Sequence, residues 1–214
     1  MRLVLLFFLV AISYAFIHAD NIQPCLLLPG ALESFQLANG IKGNYTYKQA
    51  IQINAFVNVI IGAADGTTGL LSICKSYQQF YADFGKSYEE CINPIAIYGL
   101  GSTTISNSRL LAYIFRKLQF MCGAGFTIWA PNKDCIHTAD TTVEQTCYKD
   151  FNATISANTP NDLCTENAQN FLFCLRKQYA STCNNQPMAG WFGCEKERLG
   201  WIGDCSELTC TTST

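Results

Sequence analysis

The sequence predicts an all-α protein, an irregular helical bundle crosslinked by disulfides. Three observations carry that reading. Apolar residues recur at three- and four-residue spacing through most of the chain, the signature of helices with one buried face. Twelve cysteines are present in 214 residues, and an even number in an exported chain implies a bridge framework. Several of those cysteines fall within the helical stripes instead of in turns, so their bridges would staple one helix to the next.

The N-terminus sets the compartment. Arg2 precedes an unbroken apolar run from Leu3 to Ile12, and small residues follow at Ser13, Ala15 and Ala19. This arrangement predicts a signal peptide over residues 1–19, cut after Ala19. The apolar run is half of the roughly 20 residues needed to span a bilayer. Residues 20–214 are then read as a single cysteine-rich extracellular helical domain. The stretch from Ile51 to Ala64 is too short and too interrupted to span. The polar end from Glu207 to Thr214 lacks the hydrophobic tail of a lipid-anchor signal. A secreted protein with no membrane anchor is expected.

The elements follow in order. Tyr47 to Ile61 predicts a helix, although Val57, Val59, Ile60 and Ile61 would also suit a strand. Cys74, Tyr77 and Tyr81 fall on one helical face. Asn93-Pro94 and Gly99-Leu100-Gly101 break the next segment, and Ser102 to Ser108 reads as a polar loop. From Ser108 to Met121, the residues Leu111, Ile114, Phe115, Leu118 and Cys122 form a stripe. Arg116, Lys117 and Gln119 fall largely opposite, and Gly123 ends the helix. Thr141 and Glu144 have capping-box spacing for a helix carrying Cys147, Phe151 and Ile155. Thr159-Pro160 offers an N-cap with proline in the first turn. The helix it opens would place Cys164, Ala168, Phe171, Leu175 and Tyr179 on one stripe. A last short helix runs from about Met188 to Trp201.

All the cysteines follow the signal segment: Cys25, Cys74, Cys91, Cys122, Cys135, Cys147, Cys164, Cys174, Cys183, Cys194, Cys205 and Cys210. A zinc site would show C-x2-C pairs or histidine partners, and neither pattern is present. Six disulfides are expected, with a connectivity left open among about ten thousand pairings. The 17-residue gap from Cys74 to Cys91 recurs from Cys147 to Cys164. The intervening residues do not align, so duplication is not inferred. Two sequons, at Asn44 and Asn152, are candidate glycosylation sites in an exported chain; the first lies in a Gly-rich turn.

Helical segments of the type Cys147-Tyr-Lys-Asp-Phe, Phe171-Leu-Phe-Cys174 and Cys194-Glu-Lys-Glu-Arg, in an exported chain with twelve cysteines, resemble a family of nematode secreted proteins. Their shared module is the twelve-cysteine domain, or domain of unknown function number nineteen. The resemblance runs from about Cys122 to Cys210, and the 49-residue gap after Cys25 departs from it. It implies extracellular location and disulfides, and it supplies no activity and no catalytic residues.

The chemistry on offer is sparse. His18 leaves with the signal peptide, so His137 is the one imidazole available as a general base. No G-x-S-x-G elbow accompanies it, and its expected place is the surface near a helix boundary. Glu89, Glu90, Asp134, Asp140, Glu195 and Glu197 could supply a carboxylate pair for glycoside hydrolysis, but such groups mostly solvate a surface. Glycines around 62–69 lack a phosphate-loop ending. With 14% charged residues and a net charge near −2, nothing points to nucleic acid. No cofactor, metal or catalytic set is expected. The aromatic residues, Trp129, Trp191 and Trp201 among them, either fill the core or line a binding cavity. A non-catalytic extracellular interaction module is the leading expectation, with an unknown extracellular protein as its partner. A carrier of a lipid or other hydrophobic small molecule is the alternative, and a carboxylate-dependent hydrolase ranks third.

Overall fold

A computed structural model describes residues 23–62, 67–101, 103–151, 164, 166–201 and 205–211. The signal segment, Asn152, Ile155 and the Thr159-Pro160 cap lie outside the described residues. Among the described residues the structure is helical with no strand. A 3-10 turn, Gln23–Leu27, leads into α1 (Leu28–Ala38), α2 (Ala50–Ile61) and α3 (Thr67–Phe84). Short helices α4 (Tyr88–Cys91) and α5 (Pro94–Gly99) precede α6 (Ile105–Met121). Then come α7 (Phe126–Val143), a π-helical turn (Glu144–Tyr148), α8 (Glu166–Thr182) and α9 (Pro187–Trp201).

Local chemistry explains most starts. Asn93 caps α5: its Oδ1 accepts from Ile95 N (2.9 Å) and Ala96 N (3.1 Å), with Pro94 in the first turn. Thr104 caps α6 through a bond from Asn107 N to its Oγ1 (3.1 Å). The polar stretch read as a loop to Ser108 therefore turns helical at Ile105, because its threonine serves as a cap. Asn107 Oδ1 in turn accepts from Ala50 N (3.0 Å), satisfying the first turn of α2 from a neighbouring helix. The β-branched residues of α2 do not make a strand; Val57 and Ile53 sit on its buried face.

Two further expectations are corrected, and one helix is new. Thr141 and Glu144 do not open a helix. Thr141 Oγ1 instead donates back to Thr138 O (2.8 Å) inside the last turn of α7, which runs on into the π turn. Helix α7 itself is unannounced, since its buried stripe is thin (Trp129, Ile136, Ala139 and Val143) and Pro131 interrupts it. On α3 the buried face is Leu70, Ile73, Tyr77, Phe80 and Phe84, which leaves Tyr81 exposed at the edge.

The helices gather around two apolar cores. In the first, Phe35, Phe80, Phe84, Tyr88 and Phe115 form an aromatic cluster between α1, α3, α4 and α6, with Phe80 and Phe115 stacked at 4.0 Å. Tyr88 brings its hydroxyl into that core and donates to Phe115 O (3.2 Å), as a buried phenol must. The second core joins α7, α8 and α9 around Phe171, Leu172, Leu175, Tyr179 and Phe192. Helices α3 and α6 contribute to both, and α9 packs on α6, α7 and α8.

All twelve cysteines pair, giving the six expected bridges. Cys25–Cys91 ties the N-terminal turn to α4, and Cys74–Cys122 ties α3 to the end of α6 at the seam between the cores. Cys135–Cys183 and Cys147–Cys174 staple α7 and the π turn to α8. Cys164–Cys205 ties the C-terminal segment to the turn ahead of α8, and Cys194–Cys210 ties it to α9. The recurrent 17-residue gap is not a repeat: Cys74 and Cys91 bond to Cys122 and Cys25, whereas Cys147 and Cys164 bond to Cys174 and Cys205.

Candidate functional site

Helix α9 carries a charged run, Cys194-Glu195-Lys196-Glu197-Arg198, that would ordinarily face solvent. Two glycines draw it inward instead. A Cβ on Gly193 would lie 2.3 Å from the Tyr179 ring, and one on Gly200 would lie 2.2 Å from the Tyr113 ring. The backbone of α9 therefore sits directly on tyrosines of α8 and α6, and the intervening charges land in the interface. Glu195, Lys196 and Glu197 are all buried, Glu197 to 1% exposure.

Two ion pairs result. Lys117 of α6 places Nζ 2.9 Å from Glu197 Oε1, and Lys196 Nζ lies 2.6 Å from Asp140 Oδ1 of α7. Tyrosines complete both. The Tyr113 hydroxyl donates to Glu197 Oε2 and accepts from Lys117 Nζ (2.9 Å). The Tyr179 hydroxyl donates to Asp140 Oδ1 and accepts from Lys196 Nζ (2.7 Å). Tyr148, placed by the π turn, adds a third phenol beside Glu197 and Tyr113. Lys196 also lies over the Phe192 ring, 5.8 Å from its centroid. A separate pair, Arg198 to Glu195, is bidentate at 2.8 and 2.5 Å.

The electrostatics are self-contained. Burial opposes ionisation of Glu197, but Lys117, Lys196 and the Tyr113 hydroxyl outweigh it and hold the carboxyl below its ordinary range. Burial pulls Lys117 down against the attraction of Glu197. Lys196 is also disfavoured by burial, yet Asp140 and Tyr179 raise it above the usual lysine value. Burial, with the neighbouring carboxylates, pushes Tyr113, Tyr148 and Tyr179 well up, so all three stay protonated donors. Two lysines thus balance two carboxylates, and each carboxylate takes a phenolic hydrogen bond. Chemically this is a lock between four helices.

The predicted carboxylates divide accordingly. Asp140, Glu195 and Glu197 are engaged in ion pairs, not left to solvate a surface as the sequence implied. Glu89, Glu90 and Asp134 are exposed, and Glu89 accepts from Gln119 Nε2 (2.9 Å). Lys117, read onto the solvated side of α6, is 16% exposed because α9 covers that side. His137 is exposed on α7. Among the described residues no three His, Cys, Asp or Glu side chains converge as a metal site. Sequence reasoning placed Tyr179 on a buried stripe but missed the roles of Lys117, Lys196, Tyr113 and Tyr148, and Gly193 and Gly200 on either side of the charged run were the available signal.

Most aromatic residues fill the cores. A cleft lined by Phe151, Ala168, Phe171, Leu172, Trp201 and Leu208 adjoins the lock through Tyr113–Trp201 and Tyr148–Phe171 ring contacts at 5.1 and 5.0 Å. It encloses about 10 Å³, room for a single water. Exposed apolar side chains occur around both cores, Phe173 and Met188 among them on α8 and α9. Leu26 (63% exposed) and Leu27 (54%) follow Cys25, while Ile95 (72%) and Tyr98 (52%) follow Cys91, so the Cys25–Cys91 bridge has two exposed apolar pairs close beside it in sequence.

No protein-family model, curated protein or solved structure matches this chain. Six disulfides, with no helix among the described residues long and apolar enough to cross a membrane, are compatible with an extracellular protein.

Proposed function

We propose that this protein is an exported, non-catalytic interaction module that binds an extracellular protein through the apolar surface flanking Cys25–Cys91. One contrast carries the reading. Lys117, Lys196 and Arg198 are taken up in ion pairs with Glu197, Asp140 and Glu195, while Leu26, Leu27, Ile95 and Tyr98 stand exposed within a few residues of the Cys25–Cys91 bridge in sequence. Exposed apolar and aromatic side chains on a preorganised frame are what a protein partner uses as anchors. The resemblance to twelve-cysteine nematode secreted proteins, and the leader-like N-terminus, support the extracellular setting. The partner surface expected is apolar and weakly charged, like this one. A hydrophobic carrier would call for a cavity of roughly 300 Å³ or more, which the cleft beside the lock does not provide by itself.

The test compares the exported protein with a Leu26→Ser, Ile95→Ser variant in a binding screen against extracellular fluid. A saturable partner held by the wild type and lost by the variant supports the proposal. A partner held equally by both, or no saturable binding at all, refutes it.

A further inference from the structure

We infer that Asn44 carries an N-linked glycan whose first sugars cover Phe56 and the uncharged outer face of α2. This rests on export as proposed above, since the donor sugar is supplied only along the secretory route.

The turn is built to display Asn44. On one side Ile41 is buried, and its N–H donates to Gln36 O (2.9 Å). On the other, Tyr45 N donates to Gln36 Oε1 (2.7 Å) and Tyr45 O accepts from Gln36 Nε2 (2.6 Å). One buried glutamine thus clamps both feet, and Lys42, Gly43 and Asn44 between them are exposed. Asn44 takes φ +43°, a left-handed conformation that asparagine tolerates better than most residues. Tyr45 folds back over Gly43, where a Cβ would lie 2.1 Å from its ring, so it leaves the outward path clear. Thr46, the hydroxyl residue of the sequon, is also exposed. In the transfer, Asn44 Nδ2 attacks the anomeric carbon of a lipid-diphosphate-linked oligosaccharide. The new C–N bond replaces the sugar–phosphate C–O bond, the lipid diphosphate leaves, and the amide gives up one proton.

What lies beside the turn gives the glycan a role. The Tyr45 ring also meets Phe56 at 5.5 Å between ring centroids. Phe56 stands at the edge of an outer α2 face that continues through Val59, Ala55 and Ile51; Val59 and Ile51 are 69% and 70% exposed. No residue from Ala50 to Ile61 is charged. The apolar C–H faces of sugars pack on aromatic rings while their hydroxyls stay hydrated, so a glycan one residue from Tyr45 can cover this face and still offer hydroxyls to the exposed Gln52 amide that lies between Phe56 and Val59.

The full chain is expressed in a eukaryotic secretory host, with Asn152→Gln removing the other sequon. The medium is mapped by peptide mass after enzymatic deglycosylation in heavy-oxygen water. Asn44 should appear as labelled aspartate; Asn44→Gln and Thr46→Ala should each lose one glycan mass, and Thr46→Ser should keep it. Enzymatic deglycosylation of the folded protein should raise the fluorescence of a hydrophobic dye, less so in a Phe56→Ser, Val59→Ser variant. Secreted protein with unmodified Asn44 overturns the inference and leaves export standing. Protein kept inside the cell at its unmodified mass overturns both. A glycosylated protein whose dye signal is unchanged by sugar removal overturns the covering of α2.

Discussion

Replacing Glu197 by glutamine tests whether the helices are locked by charge. The carboxylate is 1% exposed and faces Lys117 Nζ at 2.9 Å, with the Tyr113 hydroxyl on its other oxygen. Glutamine keeps the shape and one acceptor, but it strands Lys117 at 16% exposure with no counter-charge. Removing one partner of a buried pair destabilises by about 3–5 kcal/mol, because the remaining charge stays out of water. For a domain of this size each kcal/mol lowers Tm by about 2–4 °C, so a drop of roughly 6–20 °C is expected. The assay is thermal unfolding by circular dichroism at neutral pH with the disulfides intact. Adding Lys117→Met should recover part of the loss, since the stranded charge is removed, with a coupling of roughly 1–3 kcal/mol. A Glu197→Gln loss below about 1 kcal/mol, or a double variant whose loss equals the sum of the singles, would show that the lock is incidental to stability.

Three further outcomes follow from the structure. Replacing both cysteines of Cys25–Cys91, separated by 66 residues, should lose about 4 kcal/mol, and of Cys194–Cys210, separated by 16, about 3 kcal/mol, if loop closure governs the effect; urea midpoints in the reverse order would contradict this. Stability should fall as pH rises past about 10, where unfolded tyrosines ionise while Tyr113, Tyr148 and Tyr179, raised by burial, hold their protons. The folded state then binds more protons than the unfolded one, so each such tyrosine removes roughly 1.4 kcal/mol per pH unit, and a flat urea profile from pH 9 to 11 would refute the assignment. Gly200→Ala sets a methyl against the Tyr113 ring, which Glu197 holds in place, and should destabilise by about 1–3 kcal/mol in the same measurement; an unchanged midpoint would mean that α9 does not rest on Tyr113.

The sequence by itself determined the helical class, the six-bridge framework and the faces of the strongest helices. Leu111, Ile114, Phe115 and Leu118 repeat with the helical period, as do Ala168, Phe171, Leu175 and Tyr179, and all are buried. These features are local or compositional: periodicity follows from 3.6 residues per turn, and the bridge count from an even number of cysteines. Helix α7 was less legible because Pro131 and polar threonines weaken its stripe, and Thr141 spends its hydroxyl on the preceding turn. Only the tertiary structure decided which cysteines meet, since a bridge depends on where helices cross and not on spacing. It also decided the fate of Glu195, Lys196 and Glu197. A charged run on a helix surface faces water unless a neighbour covers it. Here the absence of side chains at Gly193 and Gly200 lets Tyr179 and Tyr113 press onto α9, and Lys117 and Asp140, 80 and 56 residues away in the chain, supply the opposite charges. Charge pairing across such separations leaves no periodic trace along the chain.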